Sequence, residues 1–234
     1  MLLVENLHKR FGDHVALRSL NIQVAPGEIY ALLGPNGAGK TTTINASLGF
    51  LKPDGGRVLI AGVDPALDPD RARARLAYIP EQVNLYGQLS GSENLAYFAE
   101  LAGQRLPRDR LRTLLTDAGL QHEAHERKAA GYSKGMRQKV GIAIALAKDA
   151  RVLLLDEPTS GLDPSASHEF STLVRSLSNN GVAVLMATHD LFRARDLADR
   201  VGIMKSGVLR RELSADEVET VSLEALYLEE MRAE

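Results

Sequence analysis

The hydrophobic pattern opens with two short runs of strand character, Ile22-Gln23-Val24 and residues 28 to 33, separated by the turn Ala25-Pro26-Gly27, which predicts an antiparallel entry into the fold. A helix is expected from about Lys40 to Gly49, stopping before Pro53. Asp54-Gly55-Gly56 then turns the chain into a strand over residues 57 to 60 that rejoins the first ones. Ser90-Gly91-Ser92-Glu93 reads as a capping box: the Ser90 hydroxyl accepts from the third helical amide and Glu93 reaches back to the Ser90 N–H. The helix it starts extends from Gly91 to about Ala102. Pro107 opens a second segment, where Leu111, Leu114, Leu115 and Ala118 recur at three- and four-residue spacing until Gly119. From about 85 to 148 the chain reads as mainly helical.

The pattern then alternates: apolar residues 152 to 155, a helix around 166 to 178, the turn Asn179-Asn180-Gly181, and apolar residues 182 to 187. Buried strands alternating with helices imply a parallel sheet of doubly wound type. Residues 201 to 213 suggest a hairpin turning at Lys205-Ser206-Gly207, and the tail from Ser214 to Glu234 is acidic and helix-prone, with Leu223, Leu226 and Met231 along it. The expected organisation is an α/β core with an antiparallel β part over 1–84 and 149–213, an inserted helical subdomain over 85–148, and a helical tail over 214–234.

At 234 residues the chain fits one domain with an inserted lobe, and its 44% hydrophobic and 25% charged residues are ordinary for a globular protein. A net charge of −2 gives no general attraction to nucleic acid, so no nucleic-acid partner is expected. The absence of cysteine excludes disulfides and thiolate metal sites, which suits a reducing compartment. The start, Met1-Leu2-Leu3-Val4-Glu5-Asn6, lacks the basic-then-apolar pattern of a signal peptide. The longest apolar runs, 140–147 and 182–187, fall far short of the ~20 residues a membrane span requires.

Chemistry concentrates first at Gly34-Pro35-Asn36-Gly37-Ala38-Gly39-Lys40-Thr41-Thr42, which fits G-x-x-x-x-G-K-[ST] between an apolar strand and a helix. Its glycines let backbone N–H groups converge on phosphate oxygens, and the following helix adds its positive dipole end. Lys40 is placed to reach the β- and γ-phosphates, and the Thr41 hydroxyl to bind the Mg²⁺ that bridges them. A glycine-rich turn with a surface lysine would share part of this pattern; the strand before and the helix after separate the two. The apolar run 152 to 155 ends in Asp156-Glu157, at the sheet edge where ligands bind in open α/β folds. Asp156 is the candidate holder of Mg²⁺, and Glu157 the candidate base for the water that attacks the γ-phosphate. Ser133 is a plausible N-cap for the helix running to Lys148, so its hydroxyl, the Gly135 amide and the helix dipole can face an anion.

Further motifs, in this order and spacing, resemble those of the ATP-binding cassette (ABC) family of ATPases over residues 2 to 213. Ala77-Tyr78-Ile79-Pro80-Glu81-Gln82 resembles the Q-loop, which would make Gln82 a sensor of Mg²⁺ and the attacking water. Gly131-Tyr132-Ser133-Lys134-Gly135-Met136-Arg137-Gln138-Lys139 resembles the signature motif, Ser160-Gly161-Leu162-Asp163 the D-loop, and Thr188-His189-Asp190 the switch-histidine segment. Phe11 stands where the family stacks an aromatic ring on adenine. The resemblance implies a P-loop NTPase fold, ATP and Mg²⁺ as ligands, and catalytic roles for Lys40, Gln82, Glu157 and His189. It also implies a second ATPase subunit, most simply another copy of this chain, whose Ser133 and Gly135 complete the nucleotide site. Integral membrane transport subunits are implied too, with this chain cytoplasmic and peripheral on the inner face of the cell membrane.

The signature departs from the commonest form, Leu-Ser-Gly-Gly-Gln, at Tyr132, Lys134 and Met136, while Ser133 and Gly135 remain. Such variants are similar to those of ABC-2-type export systems, as is the ending Ser222-Leu223-Glu224-Ala225-Leu226-Tyr227-Leu228, which favours export. Residues 82 to 100, with Tyr86 and Leu89 expected to be exposed, are the candidate surface for a membrane subunit. The competing readings are a soluble ABC ATPase acting on ribosomes or DNA, and a P-loop kinase or small GTPase, which would need neither Ser133 nor Gly135.

Overall fold

The computed structural model describes residues 1–232. In chain order its strands are β1 (Leu2–Phe11), β2 (His14–Val24), β3 (Ile29–Leu33), β4 (Gly55–Ile60), β5 (Leu76–Ile79), β6 (Val152–Asp156), β7 (Ala183–Thr188), β8 (Arg200–Lys205) and β9 (Val208–Ser214). The helices are α1 (Lys40–Ser47), α2 (Pro69–Arg73), α3 (Gly91–Leu101), α4 (Arg108–Asp117), α5 (His122–His125), α6 (Lys134–Ala147), α7 (Pro164–Asn179), α8 (Leu191–Leu197), α9 (Ala215–Thr220) and α10 (Leu223–Arg232).

β3 is buried at all five residues and lies at the heart of a sheet ordered β5-β6-β7-β3-β8-β9, in which only β9 runs antiparallel. The period-two geometry of a strand sends alternate β3 side chains to opposite faces. Ile29, Ala31 and Leu33 join a core shared with α3, α4, α6 and α7. Tyr30 and Leu32 join a second core under α1 and the antiparallel sheet. That second sheet has order β2-β1-β4. The turn at 25–27 therefore passes the chain from one sheet to the other. Ile22 and Val24 pair with Val4 and Leu2, not with residues 28 to 33 as the sequence suggested. β4 does rejoin the first strands, through Val58 opposite Val4.

α3 begins with the expected capping box, Glu93 N–H to Ser90 Oγ at 3.2 Å and Ser90 N–H to Glu93 Oε2 at 2.7 Å. Pro107 sits one residue ahead of α4, as its cap. The Ser133 hydroxyl caps α6 by accepting from Met136 N–H at 3.2 Å. β8 and β9 form the expected hairpin at Lys205-Ser206-Gly207. Of the tail, α10 buries Leu223 and packs Leu226 and Met231 against the core; Ala233 and Glu234 lie outside the described residues. Among the described residues, no helix is long and apolar enough to cross a membrane.

Candidate nucleotide site

The phosphate loop leaves the C-terminal end of β3, beside the same ends of β6 and β7. Two backbone bonds brace it: Gly34 N–H to Thr188 O at 3.2 Å, and Gly207 N–H, in the β8–β9 turn, to Ala38 O at 2.8 Å. Gly34 is packed so closely on β8 that a Cβ there would lie 2.4 Å from the Met204 carbonyl oxygen. Gly37, at the loop tip, adopts φ +82°, a conformation that disfavours other residues.

The loop opens into a cavity of about 430 Å³ lined by Pro35, Asn36, Gly37, Gly39, Lys40, Thr41 and Thr42, with Asp156 and Glu157 from β6 and its following turn. Phe11, 49% exposed, lines the same cavity, its ring near Lys9. An exposed aromatic face beside a polyphosphate cradle suits a nucleotide base.

Lys40 is buried. Its ammonium donates to the carbonyls of Gly34 and Pro35 and stands 3.7 Å from Glu157 Oε1. Burial lowers its pKa, against the opposing pull of Glu157 and Asp156. Burial also raises the Asp156 pKa, reinforced by the neighbouring Glu157. The Asp156 Oδ2 atom is 3.5 Å from Thr41 Oγ1. A hydroxyl and a carboxylate so placed offer hard oxygen donors, the set Mg²⁺ takes together with phosphate oxygens. The Glu157 carboxylate is held on both oxygens. Thr188 Oγ1 at 3.2 Å and His189 N–H at 3.3 Å donate to Oε2, while His189 Nδ1 is 2.8 Å from Oε1. The Glu157 backbone has φ +46°, unusual for a residue with a side chain, and its N–H is fixed to Ala187 O at 2.9 Å.

The family model described as ABC transporter matches residues 17–160. This chain belongs to the ABC transporter family. The ABC chain is 37% identical over 219 residues to the daunorubicin resistance ATP-binding protein DrrA3 of Streptomyces coeruleorubidus, covering 93% of this chain and 69% of that protein. It is 38% identical over 204 residues to the Nod factor export ATP-binding protein I of Burkholderia orbicola (strain AU 1054), covering 86% and 67%. A solved dimeric, post-hydrolysis state of the ATP-binding cassette MJ0796 bound to ADP and Pi superposes with a TM-score of 0.80 at 28% identity, covering 92% and 99%. This ABC protein is accordingly an ATP-binding and ATP-hydrolysing subunit with the P-loop NTPase fold of the family's cassettes.

In this ABC ATPase the sequence-predicted groups fall in three places. Phe11, Pro35, Asn36, Gly37, Gly39, Lys40, Thr41, Thr42, Asp156 and Glu157 surround one cavity, with His189 bonded to Glu157 behind it, while Gly34 and Ala38 of the loop do not line it, Gly34 packing on β8 and Ala38 turning into the core. Gln82 lies elsewhere: at the end of β5 it lines a separate cavity with Tyr78, Val83 and Phe98, and its neighbour Glu81 faces the phosphate loop. Ser133 and Gly135 line no part of the phosphate cavity. Tyr86 is exposed as expected, but Leu89 is half-buried, its carbonyl accepting from Ala129 N–H at 2.8 Å, because the loop folds back onto the turn before α6. Sequence reasoning passed over three cavity residues, His14, Ala16 and Glu81. The tight Gly12-Asp13 turn was the available signal for His14, since it sets His14 opposite Phe11.

Proposed function

We propose that two copies of this chain close head to tail around two ATP molecules, and that closure drives export through separate membrane subunits. One observation supports the dimer: the cavity that holds the phosphate loop and Glu157 has no contribution from Ser133 or Gly135, although α6 presents, outside that cavity, a capped, anion-ready N-terminus. The Ser133 oxygen accepts from Met136 N–H, so its own O–H is available to donate outward. A second copy facing the first would bring that O–H, the Gly135 amide and the α6 dipole to the γ-phosphate.

On this reading Phe11 stacks on adenine and the amides of residues 34 to 42 hold the phosphates. The Lys40 ammonium exchanges the Gly34 and Pro35 carbonyls for phosphate oxygens. Thr41 and Asp156 would hold Mg²⁺, which would supply positive charge to the phosphates when bound, and Gln82 would be a further oxygen donor if closure brought it to them. Glu157 accepts the proton of the attacking water, while Thr188 and His189 fix the direction of its carboxylate. ATP is bound more tightly by the closed pair than by the open chains, and loss of the γ-phosphate removes that difference.

The membrane subunit would dock between the sheet and the 85–148 helical subdomain. The Gln82 cavity, about 270 Å³, adjoins another of about 400 Å³ through Phe98 and Ile144. Exposed Tyr86 packs edge-on against Tyr97 and lies 6.2 Å, ring to ring, from Phe98, which lines both cavities. Docking there places the chain on the inner face of the membrane. Export rather than import follows from the signature variant and from relatives named for drug resistance and Nod factor export. The test is affinity purification of tagged Glu157→Gln protein, with Mg-ATP, from detergent-solubilised membranes of the native cell, followed by mass spectrometry. A stoichiometric polytopic membrane protein is expected; recovery with ribosomal or DNA-bound partners from the soluble fraction overturns the proposal.

A further inference from the structure

From the face of α6 turned toward residues 158 to 160 we infer that Lys134 is a positioning residue for hydrolysis, tethering the turn that carries Glu157. The inference rests on the reading of Glu157 as the base. The Lys134 ammonium donates to the Ser160 carbonyl oxygen. Ser160 is the hub of this turn. Its N–H donates to Glu157 O at 3.1 Å, closing the turn, and its hydroxyl donates to Glu81 Oε1 at 3.0 Å, reaching the loop that faces the phosphates.

Gln138 stands one helical turn beyond Lys134, on the same face. It is 1% exposed, and its amide nitrogen lies 3.2 Å from Pro158 O and 3.4 Å from Glu81 O. Two side chains of α6 thus grip residues 158 to 160 from one side. The opposite end of that turn is Glu157 at φ +46°, a strained conformation that persists only where the surroundings over-determine it. The contacts of Thr188 and His189 fix the carboxylate, and Ala187 O fixes the Glu157 amide. The carbonyl side of the turn is fixed through Ser160. A glycine at 134, as in the commonest signature, has no side chain with which to make this bond. Lys134 therefore supplies, within one chain, a tether between the signature helix and that chain's own base. Lys134 lines no part of the phosphate cavity of its own chain, so the tether acts on turnover and leaves the affinity of the open, single chain for nucleotide alone.

The test compares Lys134→Met, which keeps the length and removes the ammonium, with Lys134→Arg, which keeps a donor. For the full-length chain, kcat and KM for Mg-ATP are measured beside the ATP Kd of the dilute, undimerised chain, and hydrogen–deuterium exchange is followed over residues 157 to 163 without nucleotide. Lys134→Met should lower kcat about 10- to 100-fold, the range for a catalytic group displaced by about 1 Å, with Kd unchanged and faster exchange at Ser160 to Leu162. Lys134→Arg should recover most of kcat. An unchanged kcat, a loss confined to Kd, or unchanged exchange in Lys134→Met overturns the inference. Lys134→Leu, which also has no donor, serves the same comparison if the Met variant does not stay folded. Turnover surviving in Glu157→Gln would instead sink the base assignment, and the exchange measurement would still decide whether the tether exists.

Discussion

Gly34→Ala and Gly37→Ala alter the same loop, and the structure expects them to fail for different reasons. An alanine Cβ at 34 would lie 2.4 Å from Met204 O and 3.1 Å from Ala38 Cβ. Met204 belongs to β8, whose residue 203 pairs with Leu33 immediately before the loop, so relief requires two hydrogen-bonded central strands to part. A shift of about 1 Å takes neighbouring N–H···O bonds out of range at about 1 kcal/mol each. Overpacking adds about 1–3 kcal/mol. The expected loss is about 3 kcal/mol or more, a fall in Tm of roughly 6–12 °C for a chain of this size. At Gly37 a Cβ meets nothing within 4 Å, and the only obstacle is φ +82°. A side chain in that conformation costs about 1–2 kcal/mol, so Gly37→Ala should lower Tm by roughly 2–8 °C. Its larger effect is on ATP affinity, because a loop that relaxes its φ turns amides away from the phosphates. Melting followed by circular dichroism without nucleotide, then ATP titration, separates the two. If Gly37→Ala proves the more destabilising variant without nucleotide, the steric argument at Gly34 is wrong.

Sharing of sites can be read from mixtures: Ser133→Ala lacks the signature hydroxyl and Lys40→Ala lacks the phosphate lysine. Each alone should be inactive, but an equal mixture restores one intact composite site in half of the dimers, about a quarter of wild-type turnover if sites act independently. No recovery would count against head-to-tail closure. Ser133→Ala should also lose about 1 kcal/mol of stability with its cap, measurable by urea denaturation. Asp156→Asn should raise the Tm of the nucleotide-free chain while abolishing hydrolysis. Burial and Glu157 raise the Asp156 pKa above its unfolded value, so the ionised carboxylate destabilises the fold above that pKa and the penalty disappears as pH falls through it. The Tm gain should therefore be present at about pH 8 and shrink on acidification; solvent access to the carboxylate keeps it small. A gain that grew toward acid would refute the assignment.

Local chemistry was legible in the sequence, and long-range placement was not. The phosphate loop, the Ser90–Glu93 box and the Ser133 cap each depend on residues within a few positions of one another. β1 escaped notice because its period of two is broken: Leu2 and Val4 are buried, but the next fully buried residue is Leu7, after Asn6 at φ +47°. β2 carries a matching irregularity at Ser19, φ +55°, and the pairing shifts register between Val4 and Leu7. With β1 hidden, the partner of Ile22-Gln23-Val24 was misjudged, and Gly12-Asp13 was not read as the turn that sets His14 across from Phe11. Glu81 was passed over for a different reason. It is adjacent to Gln82 in sequence, but which of the two faces the phosphates depends on how the chain leaves β5, and no spacing encodes that. The helix α8 was passed over, although Asp190, inside the Thr188-His189-Asp190 motif, caps it by accepting from Arg193 N–H at 3.1 Å.

The balance of charge explains why closure should require ATP and end with hydrolysis. Among the described residues lining the phosphate cavity, Lys40 faces three carboxylates, Glu81, Asp156 and Glu157. Mg-ATP brings further negative charge to the γ-phosphate side, where this chain has no second lysine or arginine lining the cavity. In the proposed closed pair the missing positive potential would come from an opposed α6 N-terminus, with the Gly135 amide, the Ser133 O–H and the dipole of a 14-residue helix. Removing the γ-phosphate would leave that terminus facing the carboxylates alone, which attract it but hold it less tightly than the phosphate did. Glu157→Gln should then lengthen the life of the closed pair in two ways, by stopping turnover and by deleting one negative charge from the site. The second effect can be isolated with a non-hydrolysable ATP analogue: dimerisation of Glu157→Gln should exceed wild type at low salt, and the difference should narrow as salt screens the repulsion over a Debye length of about 10 Å at 0.1 M. Equal dimerisation at every salt concentration would mean that charge at Glu157 plays no part in closure, and that arrest of turnover alone accounts for any persistence of the Gln variant with ATP.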